Sequence, residues 1–300
     1  MSNLVSILTP TYNCGKFIRR LLDSVLMQTY PEIEMHVMDD GSKDDTREIV
    51  ERYMPEFEKK GYRLHYHYQD NQGQSGAINN GLKLVNGRFL AWPDADDYYK
   101  TADAVECLVR ALETADEHTA MSRCLTEYLN EEDLSYCREI KTAGVGKEEL
   151  FEDCLFGTNG FWYNPGGYMV KFEALRQMIP ELEIYTDRAA GQNWQLMLPI
   201  LYRYKCITVP LVKYSVLIRR ASHSRSQFAS RRRTNRLYNV YRTTILETLK
   251  RIPSMPAREQ REYSRKVNAH YNRLIFRNNM LFILGPLVPT LQRIKRRMKG

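Results

Sequence analysis

The sequence has no pair of cysteines at the spacing of a metal site. Its six cysteines are scattered over 300 residues without a Cys-x-x-Cys motif. Such scattered thiols argue against a disulfide framework and against a structural zinc site, and they favour a reducing compartment. A charged-then-apolar leader is also missing from the start of the chain. We therefore expect no signal peptide and a cytoplasmic protein.

Long hydrophobic runs are missing as well. The apolar stretch at residues 280–289 contains two prolines and a glycine, and it has only about half the length of a membrane-spanning helix. Low-complexity tracts and internal repeats are absent from the sequence, and 43% of the residues are hydrophobic. The chain is therefore long enough to build one large domain with a real core, together with an appendage.

Acidic residues are scarce towards the C-terminus. Residues 217–300 contain 21 Lys and Arg but three acids, so their net charge is +18, whereas the rest of the chain carries −10. This asymmetry indicates a polyanionic partner for the tail. The apolar stretch 280–289 and the five cations at 293–299 predict peripheral binding to an anionic membrane surface, the inner face of a plasma membrane. The alternative is a tail helix that packs on the protein.

Short apolar runs alternate with helical patterns in the first hundred residues. We predict strands at residues 4–9, 34–39, 64–68 and 88–92, separated by helices at residues 17–27, 44–57 and 75–85. This alternation predicts an α/β fold with a Rossmann-like, mostly parallel sheet and flanking helices. Ligands of such sheets bind beyond the carboxyl ends of the strands, so the functional residues are expected there.

The remainder of the chain has weaker patterns. Residues 119–216 are irregular, except for a predicted helix at 194–204 and an extended segment at 207–216 that is broken by Pro210. From about residue 228 the pattern is helical as far as residue 279, with an interruption near Pro253 and Pro256. We therefore divide the chain into a catalytic domain of residues 1–226 and a helical, basic C-terminal extension of residues 227–300.

Three of the predicted strands end in polar clusters. These are Thr-Pro-Thr-Tyr-Asn at 9–13, Asp-Asp-Gly-Ser at 39–42 and Trp-Pro-Asp-Ala-Asp-Asp at 92–97, and a glycine-rich loop at 71–77 lies between the last two. Each motif alone is common in solvated turns. Several carboxylates at one sheet edge, however, repel one another unless a cation offsets their charge. Oxygen-only ligands favour Mg²⁺ or Mn²⁺.

These motifs resemble those of the family 2 glycosyltransferases, which have the GT-A fold. The resemblance rests on the sequences VSILTPTYN at 5–13, MDDGSKD at 38–44, NQG at 71–73 and DADD at 94–97. It covers the first hundred residues closely and reaches more loosely to about residue 226. It implies a metal-dependent, inverting enzyme of bacterial cell-surface polysaccharide synthesis. The donor would be a nucleotide-diphosphate sugar, with uracil as its base, and the acceptor a saccharide or a lipid-linked saccharide.

The resemblance also implies roles for single residues. Asp96 would bind the Mn²⁺ or Mg²⁺ ion that bridges the two phosphates, and His223 would complete this metal site. The alternative for His223 is an exposed residue in a basic stretch. A cation there would stabilise the charge that develops on the departing nucleoside diphosphate. The residues expected to bind the nucleotide sugar are Pro10, Thr11, Tyr12, Asn13, Asp39, Asp40, Gly73 and Asp94. Of these, Asp40 would accept a hydrogen bond from the base and Asp94 would contact the ribose.

The chain departs from the family pattern at the catalytic base. The family usually places an acidic pair before the helix predicted at 194–204, but this chain has Gln192 and Asn193 there. An amide can bind a sugar but cannot act as a base. We therefore assign Gln192 to the catalytic site as a contact, and Asp187, the nearest acid upstream, as the base that deprotonates the acceptor hydroxyl. The alternative for Asp187 is a surface ion pair with Arg188.

Two other interpretations of the sequence differ in function class. The amides at 192 and 193 would also suit a nucleotide-sugar-binding protein that lacks transferase activity. The basic tail would suit a nucleic-acid-binding protein, but it contains no recognition motif, and the acidic body would repel a polyanion. We therefore expect no nucleic-acid partner. The aromatic run at 161–163 is predicted to be core, with a sugar-stacking platform as the alternative.

Overall fold

A nine-stranded sheet organises the chain in the computed structural model, which describes residues 3–138, 140–187, 189–219 and 230–284. The strands are β1 (Val5–Thr11), β2 (Ile33–Asp39), β3 (Arg63–Tyr68), β4 (Phe89–Ala91), β5 (Tyr98–Tyr99), β6 (Thr119–Asn130), β7 (Tyr136–Arg138), β8 (Tyr168–Lys171) and β9 (Lys205–Ile218). Their spatial order is β3-β2-β1-β4-β8-β6-β9-β5, with β7 paired to β6.

The helices lie mainly between the strands along the chain. They are α1 (Ile18–Leu26), α2 (Thr46–Lys60), α3 (Gln74–Leu82), α4 (Ala104–Thr114), α5 (Phe151–Phe156), α6 (Phe172–Met178), α7 (Asn193–Arg203), α8 (Arg231–Lys250) and α9 (Ala257–Leu284). A short 3₁₀ turn spans Pro165–Gly167. Buried side chains form two large clusters. The predicted α/β architecture with flanking helices is confirmed.

The first half of the sheet is parallel. Strands β3, β2, β1 and β4 are neighbours in that order, and each pair runs in the same direction. Every residue of β1 and β2 is buried, as expected for parallel strands covered on both faces. Because β1, β2 and β4 share one direction, their polar carboxyl-terminal segments meet at one edge of the sheet.

The second half of the sheet is mixed. Its strand β6 was not predicted, whereas β9 contains the extended segment that was predicted at residues 207–216. Strand β8 runs antiparallel to both β4 and β6, and β6 then pairs in parallel with β9. The apolar pattern of β6 is interrupted by buried polar side chains, including Arg123 and Glu127. Pro210 lies in a bulge of β9, where consecutive residues of β6 pair with Val209 and Val212. A bulge accommodates a proline because no ladder hydrogen bond is needed there.

The described part of the C-terminal extension packs on the rest of the protein. Ile245 and Leu249 of α8 and Val267 of α9 are buried in the same cluster as Leu196 of α7. None of the described helices is long and apolar enough to cross a membrane. Most of the predicted membrane-binding segment, including the cations at 293–299, lies outside the described residues. The division of the chain into two parts at residue 226 stays a prediction.

Candidate active site

A cavity of about 490 Å³ opens at the carboxyl ends of β1, β2 and β4. The residues of the strand ends that line it are Pro10, Thr11, Tyr12, Asp40, Asp94 and Asp96. The ring of Tyr12 is 52% exposed and stands at the cavity as a free aromatic surface. The structure thus brings together six of the residues that the sequence proposed for donor and metal binding.

Asp40 holds the glycine-rich loop in place. Its Oδ1 accepts hydrogen bonds from the Gln69 side chain and from the Gln72 backbone N–H, both at 2.8 Å. Its Oδ2 accepts the Gly73 N–H, also at 2.8 Å. Gly73 has φ +84° and ψ 164°, a conformation that is essentially restricted to glycine. Asp40 therefore both faces the cavity and shapes the loop that precedes α3.

Asp39 and Asn13 are not among the residues lining the cavity. The carboxylate of Asp39 is fully buried and accepts hydrogen bonds from the Ser42 N–H and the Tyr66 hydroxyl, both at 2.7 Å. Asn13 has a positive φ of 51° and accepts a hydrogen bond from the Lys43 N–H at 2.8 Å. Both side chains support the turns that carry the lining residues.

Two amide side chains hold Asp94. Its Oδ1 accepts hydrogen bonds from Gln74 at 3.2 Å and from Gln192 at 3.1 Å. Burial, and next the neighbouring charge of Asp96, raise the pKa of Asp94 to about 7. Gln192 is itself buried, and its Oε1 has no hydrogen-bond partner. A hydrogen bond thus connects Gln192, which the sequence assigned to the catalytic site, with Asp94, which it assigned to binding of the nucleotide sugar.

The next two acids of this loop have different partners. Asp96 forms an ion pair with Arg219, with 2.6 Å between an Asp96 Oδ2 and an Arg219 guanidinium nitrogen. Asp97 is buried and accepts a hydrogen bond from the Leu217 N–H at 3.0 Å. Burial and the charges of Asp96 and Asp94 raise the pKa of Asp97 well above its usual range. Leu217 lies in β9, and Arg219 follows that strand directly. The end of β9 therefore contacts both Asp96 and Asp97 of the acidic loop.

Aromatic side chains form one wall of the cavity. Tyr163, Trp194 and Tyr241 line it, with ring centroids 4.9 Å apart for the first pair and 4.7 Å for the second. Phe161 and Trp162 are almost completely buried. The aromatic run at 161–163 is therefore divided: two of its rings are core, and the third faces the cavity.

Asp187 lies in a second cavity, of about 500 Å³. This cavity is bounded by Tyr185 and Asp187 on one side and by α8 residues such as Arg232 and Arg236 on the other. The Asp187 side chain is exposed, and its Oδ1 accepts a hydrogen bond from the Ala189 N–H at 2.9 Å. Arg188, its alternative partner, and His223, the proposed metal ligand, lie outside the described residues.

The two cavities are neighbours. Residues 189–191 line the first cavity, whereas Asp187 lines the second. Helix α8 likewise presents Tyr241 to the first cavity and Val240 to the second. The loop before α7 and one helix of the C-terminal extension therefore border both.

The sequence profile of glycosyl transferase family 2 matches residues 6–168, more than half of the chain. The chain belongs to glycosyl transferase family 2. The match begins in β1 and ends at the first residue of β8, so it includes all of the acidic strand ends. The motifs on which the resemblance was based are thus those of the family.

Relatives of this family 2 member match only part of the chain. The uncharacterized glycosyltransferase RP339 of Rickettsia prowazekii is 35% identical over 45% of this chain and 41% of its own length. The putative teichuronic acid biosynthesis glycosyltransferase TuaG of Bacillus subtilis is 41% identical over 32% of this chain and 37% of its own length. The matched part of the chain thus spans less than half the length of these curated relatives.

Solved structures extend the similarity to the whole fold. S. aureus TarS in complex with UDP-GlcNAc superposes with a TM-score of 0.62 at 20% identity, covering 89% of this chain and 72% of that one. The mannosyltransferase PcManGT of Pyrobaculum calidifontis, in complex with GDP-Man and Mn²⁺, gives 0.58 at 18% identity and covers 99% and 80%. The fold is therefore that of the GT-A glycosyltransferases, as predicted.

Several residues that line the first cavity were missed from the sequence, among them Gln74, Arg219 and Tyr241. Gln74 opens α3 directly after the glycine-rich loop, a position that signals proximity to the strand ends. Arg219 follows the extended segment that was predicted to end at residue 216. Tyr241 is one of many residues on a basic helix, and no pattern in the sequence separates it from the rest.

Proposed function

We propose that this enzyme transfers a sugar from a nucleotide-diphosphate sugar, a UDP-sugar, to a saccharide or lipid-linked acceptor, with inversion at the anomeric carbon. The observation that carries the proposal is the cavity at the ends of β1, β2 and β4, where Asp40, Asp94 and Asp96 converge. Tyr12 offers an exposed ring for the base. We assign the acidic side of this cavity to the diphosphate and its cation.

The acidic loop fits a divalent cation. Asp94, Asp96 and Asp97 lie within four consecutive residues, and the pKa values of Asp94 and Asp97 are raised partly by the charge of Asp96. A bound cation would relieve this repulsion. Because the donors are carboxylate oxygens, Mn²⁺ or Mg²⁺ suits them. We assign Asp96 as the metal ligand with Asp94 beside it. The cation, when bound, would stabilise negative charge on the departing diphosphate.

Arg219 supplies a positive charge at the same point. Its guanidinium pairs with Asp96 and also lies 4.8 Å from the ring centroid of Phe17. Cation binding to Asp96 would release the guanidinium, which could then pair with a phosphate oxygen of the donor. A planar guanidinium is well suited to two parallel hydrogen bonds to phosphate. We therefore assign Arg219 to the diphosphate.

The acceptor would occupy the second cavity, with Asp187 as the base. Asp187 is the acid of the loop 185–191, which borders both cavities, and Gln192 and Asn193 cannot accept a proton. One Asp187 oxygen is held by the Ala189 N–H. The other could take the proton of the acceptor hydroxyl as the oxygen attacks the anomeric carbon. The bond from that carbon to the diphosphate breaks in the same step.

The second cavity also indicates the chemistry of the acceptor. Arg232 and Arg236 of α8 line it, together with Asn235 and Asn239. Neither arginine forms an ion pair with a carboxylate of the described residues. Two such cations favour an acceptor with a phosphate or carboxylate group. A saccharide joined to a lipid through phosphate would meet this requirement, and the basic tail would bring the enzyme to the membrane where such acceptors lie.

A donor screen tests the proposed function. The full-length enzyme is incubated with UDP-, GDP- and dTDP-sugars, with Mn²⁺ or with EDTA, and released nucleoside diphosphate is measured. We expect slow metal-dependent hydrolysis of UDP-sugars that accelerates with phosphate-linked saccharide acceptors. Binding of a nucleotide sugar without any release, across donors and acceptors, would instead support a binding protein without transferase activity.

A further inference from the structure

A cluster of histidines lies on the sheet away from the strand ends. In the parallel register of β2 and β3, His36 pairs with His65. Glu34 precedes His36 by two residues, and His67 follows His65 by two, so all four side chains lie on the same face of the two strands. The imidazole centroids are 4.9 Å apart for His36 and His65 and 5.4 Å for His36 and His67. The mechanism proposed above uses none of these residues.

Ligand atoms converge within this cluster. One carboxylate oxygen of Glu34 and one ring nitrogen each of His36 and His65 lie within 4.8 Å of one another. Glu34 and His36 are buried, at 1% and 4% exposure. His65 is partly exposed on an edge strand. The cluster therefore has two fixed ligand groups in the interior and one at the surface, where an ion from solvent can enter.

The hydrogen bonds of His36 leave one nitrogen without a partner. Its Nδ1 lies 3.2 Å from Nε2 of His67, a hydrogen bond in which one of the two carries the proton. Its Nε2 is buried without a hydrogen-bond partner and lies 3.6 Å from Oε1 of Glu34. If Nδ1 donates to His67, Nε2 presents a lone pair to the cluster. Metal-binding histidines are usually oriented by such a hydrogen bond from the second ring nitrogen.

The carboxylate of Glu34 is held in place by hydrogen bonds from two other parts of the chain. It accepts hydrogen bonds from the Ser6 hydroxyl at 2.5 Å and from the Asn86 N–H at 3.0 Å. Hydrogen bonds of this kind orient a carboxylate that binds a metal. Glu34 therefore presents a positioned carboxylate to the cluster.

We propose that Glu34, His36 and His65 form a binding site for Zn²⁺ or a chemically similar transition-metal ion, with water as the fourth ligand. Two imidazoles and a carboxylate are a known zinc ligand set. Ligand bonds of about 2.0–2.1 Å place tetrahedral ligands about 3.3 Å apart. The cluster, at up to 4.8 Å, must therefore contract by about 1.5 Å, mainly through rotation of the partly exposed His65.

This site differs from the proposed donor cation site in place and chemistry. His36 lies within β2, and Asp40 follows the last residue of that strand. Four residues of extended chain correspond to roughly 13 Å. The donor site offers carboxylate oxygens, which suit Mn²⁺ or Mg²⁺, whereas imidazole nitrogens select for Zn²⁺ and its neighbours. An ion bound between β2 and the edge strand β3 would join the two strands. Its role would thus be to stabilise the sheet beneath the glycine-rich loop.

The test uses untagged full-length protein that has been freed of metal with a chelator. Zn²⁺ binding is measured by competition with a chromophoric chelator, and Co²⁺ is added separately to record the visible absorption of a four-coordinate site. We expect one equivalent of Zn²⁺ and a rise in melting temperature. His65→Ala should weaken Zn²⁺ binding at least tenfold and abolish the rise. His118→Ala, which removes an exposed histidine beside Glu117, should behave as wild type.

Two further observations keep the test decisive. Because His65 is partly exposed, His65→Ala is expected to fold, and a circular dichroism spectrum equal to that of the metal-free wild type would show it. If His65→Ala loses its fold, His65→Gln provides the same comparison with a smaller perturbation. Zn²⁺ binding that is unchanged in the His65 variants, or absent from the wild type at micromolar concentrations, would overturn the proposal. Neither result depends on transferase activity, so a failure here is distinct from a failure of the proposed function.

Discussion

The guanidinium of Arg219 lies 2.6 Å from the carboxylate of Asp96, at the junction of the end of β9 and the acidic loop after β4. Asp96 is the residue proposed to bind the metal ion of the nucleotide-sugar site. In the described structure, its carboxylate pairs with the guanidinium of Arg219 instead. The pair is partly exposed, with 27% and 20% of the two side chains accessible. A metal ion can therefore reach the Asp96 carboxylate from solvent and replace Arg219 there.

The first prediction concerns this exchange. In Arg219→Ala, Mn²⁺ no longer competes with the guanidinium for Asp96, so Mn²⁺ binding without nucleotide should tighten by roughly three- to tenfold, a modest gain as expected for a partly exposed pair. UDP binding in saturating Mn²⁺ should weaken, because Arg219 is proposed to contact the diphosphate. Electron paramagnetic resonance measures free Mn²⁺. Arg219→Lys is the charge-conserving control, and equal Mn²⁺ affinity in the alanine variant would contradict the exchange.

The second prediction follows from the raised pKa of Asp94. Its folded-state pKa of about 7 lies above the usual value of 3.8, so the folded protein binds a proton that the unfolded chain has lost. The metal-free protein should therefore become less stable as pH rises from about 4 to about 7. In EDTA, the melting temperature of the wild type should fall over this range more than that of Asp94→Asn. Identical pH profiles would show that Asp94 is not responsible.

Binding of Mn²⁺ should depend on pH in the opposite direction to the stability of the metal-free protein. Because Mn²⁺ favours the ionised carboxylate, Mn²⁺-dependent UDP binding should weaken as pH falls below about 7. Calorimetry in buffers of different ionisation enthalpy should detect proton release on binding at pH 6.5. Proton uptake, or none in the wild type, would argue against metal contact by the Asp94 and Asp96 loop.

The third prediction tests the base. Asp187→Asn should lower the transfer rate by about 10²- to 10⁴-fold, with little change in UDP affinity, because the base acts on the acceptor in the transition state. Glu183→Gln is the matched control on the same segment, since Glu183 is exposed and pairs with Lys83. Near-normal turnover in Asp187→Asn would exclude Asp187 as the base. Asp97 is then a poor substitute, because its carboxyl is buried against the Leu217 N–H.

The fourth prediction concerns the basic tail. Helix α9 extends to Leu284, and Asn279 within it accepts a hydrogen bond from Asn235 at 2.8 Å. A truncation after Leu284 therefore removes the cations at 293–299 without removing these contacts. Each cation near an anionic surface contributes about 1 kcal/mol. We expect the truncated protein to lose co-sedimentation with anionic vesicles while its melting temperature is unchanged.

The full-length protein provides the contrast for the truncation. Its vesicle binding should weaken steeply with salt. A fall in the melting temperature of the truncated protein would favour a tail that packs on the protein. Salt-sensitive binding of the full-length chain to RNA, with no binding to anionic vesicles at low salt, would contradict a membrane partner.

The sequence predicted the parallel half of the fold well because each of its strands is a short apolar run that ends in a polar cluster. Strand β1, for example, was expected at residues 4–9 and spans Val5–Thr11. Strand β6 could not be recognised in the same way, because Arg123 and Glu127 are buried within it and form hydrogen bonds with distant partners. Arg123 donates to Thr208, and Glu127 accepts from Ser215, both on β9.

The site was predictable only in part, for a related reason. Motifs at strand ends place Thr11, Asp40 and Asp94 at one edge of the sheet by topology alone. The position of Asp39 could not be read in this way, because adjacent residues of a strand point to opposite faces, and its carboxylate is held by Tyr66. Tyr241 reaches the cavity through the packing of α8, which depends on tertiary contacts that no local pattern encodes.

Binding of a nucleoside diphosphate is the most direct test of the proposed donor site. Calorimetry should measure UDP binding to the full-length protein in Mn²⁺ and in EDTA, and then to Asp96→Asn and to Asp133→Asn, whose exposed aspartate lies between β6 and β7. We expect Mn²⁺-dependent binding that weakens at least tenfold, or about 1.4 kcal/mol, in Asp96→Asn and is unchanged in Asp133→Asn. UDP affinity that is equal in wild type and Asp96→Asn, or that is indifferent to EDTA, would contradict it.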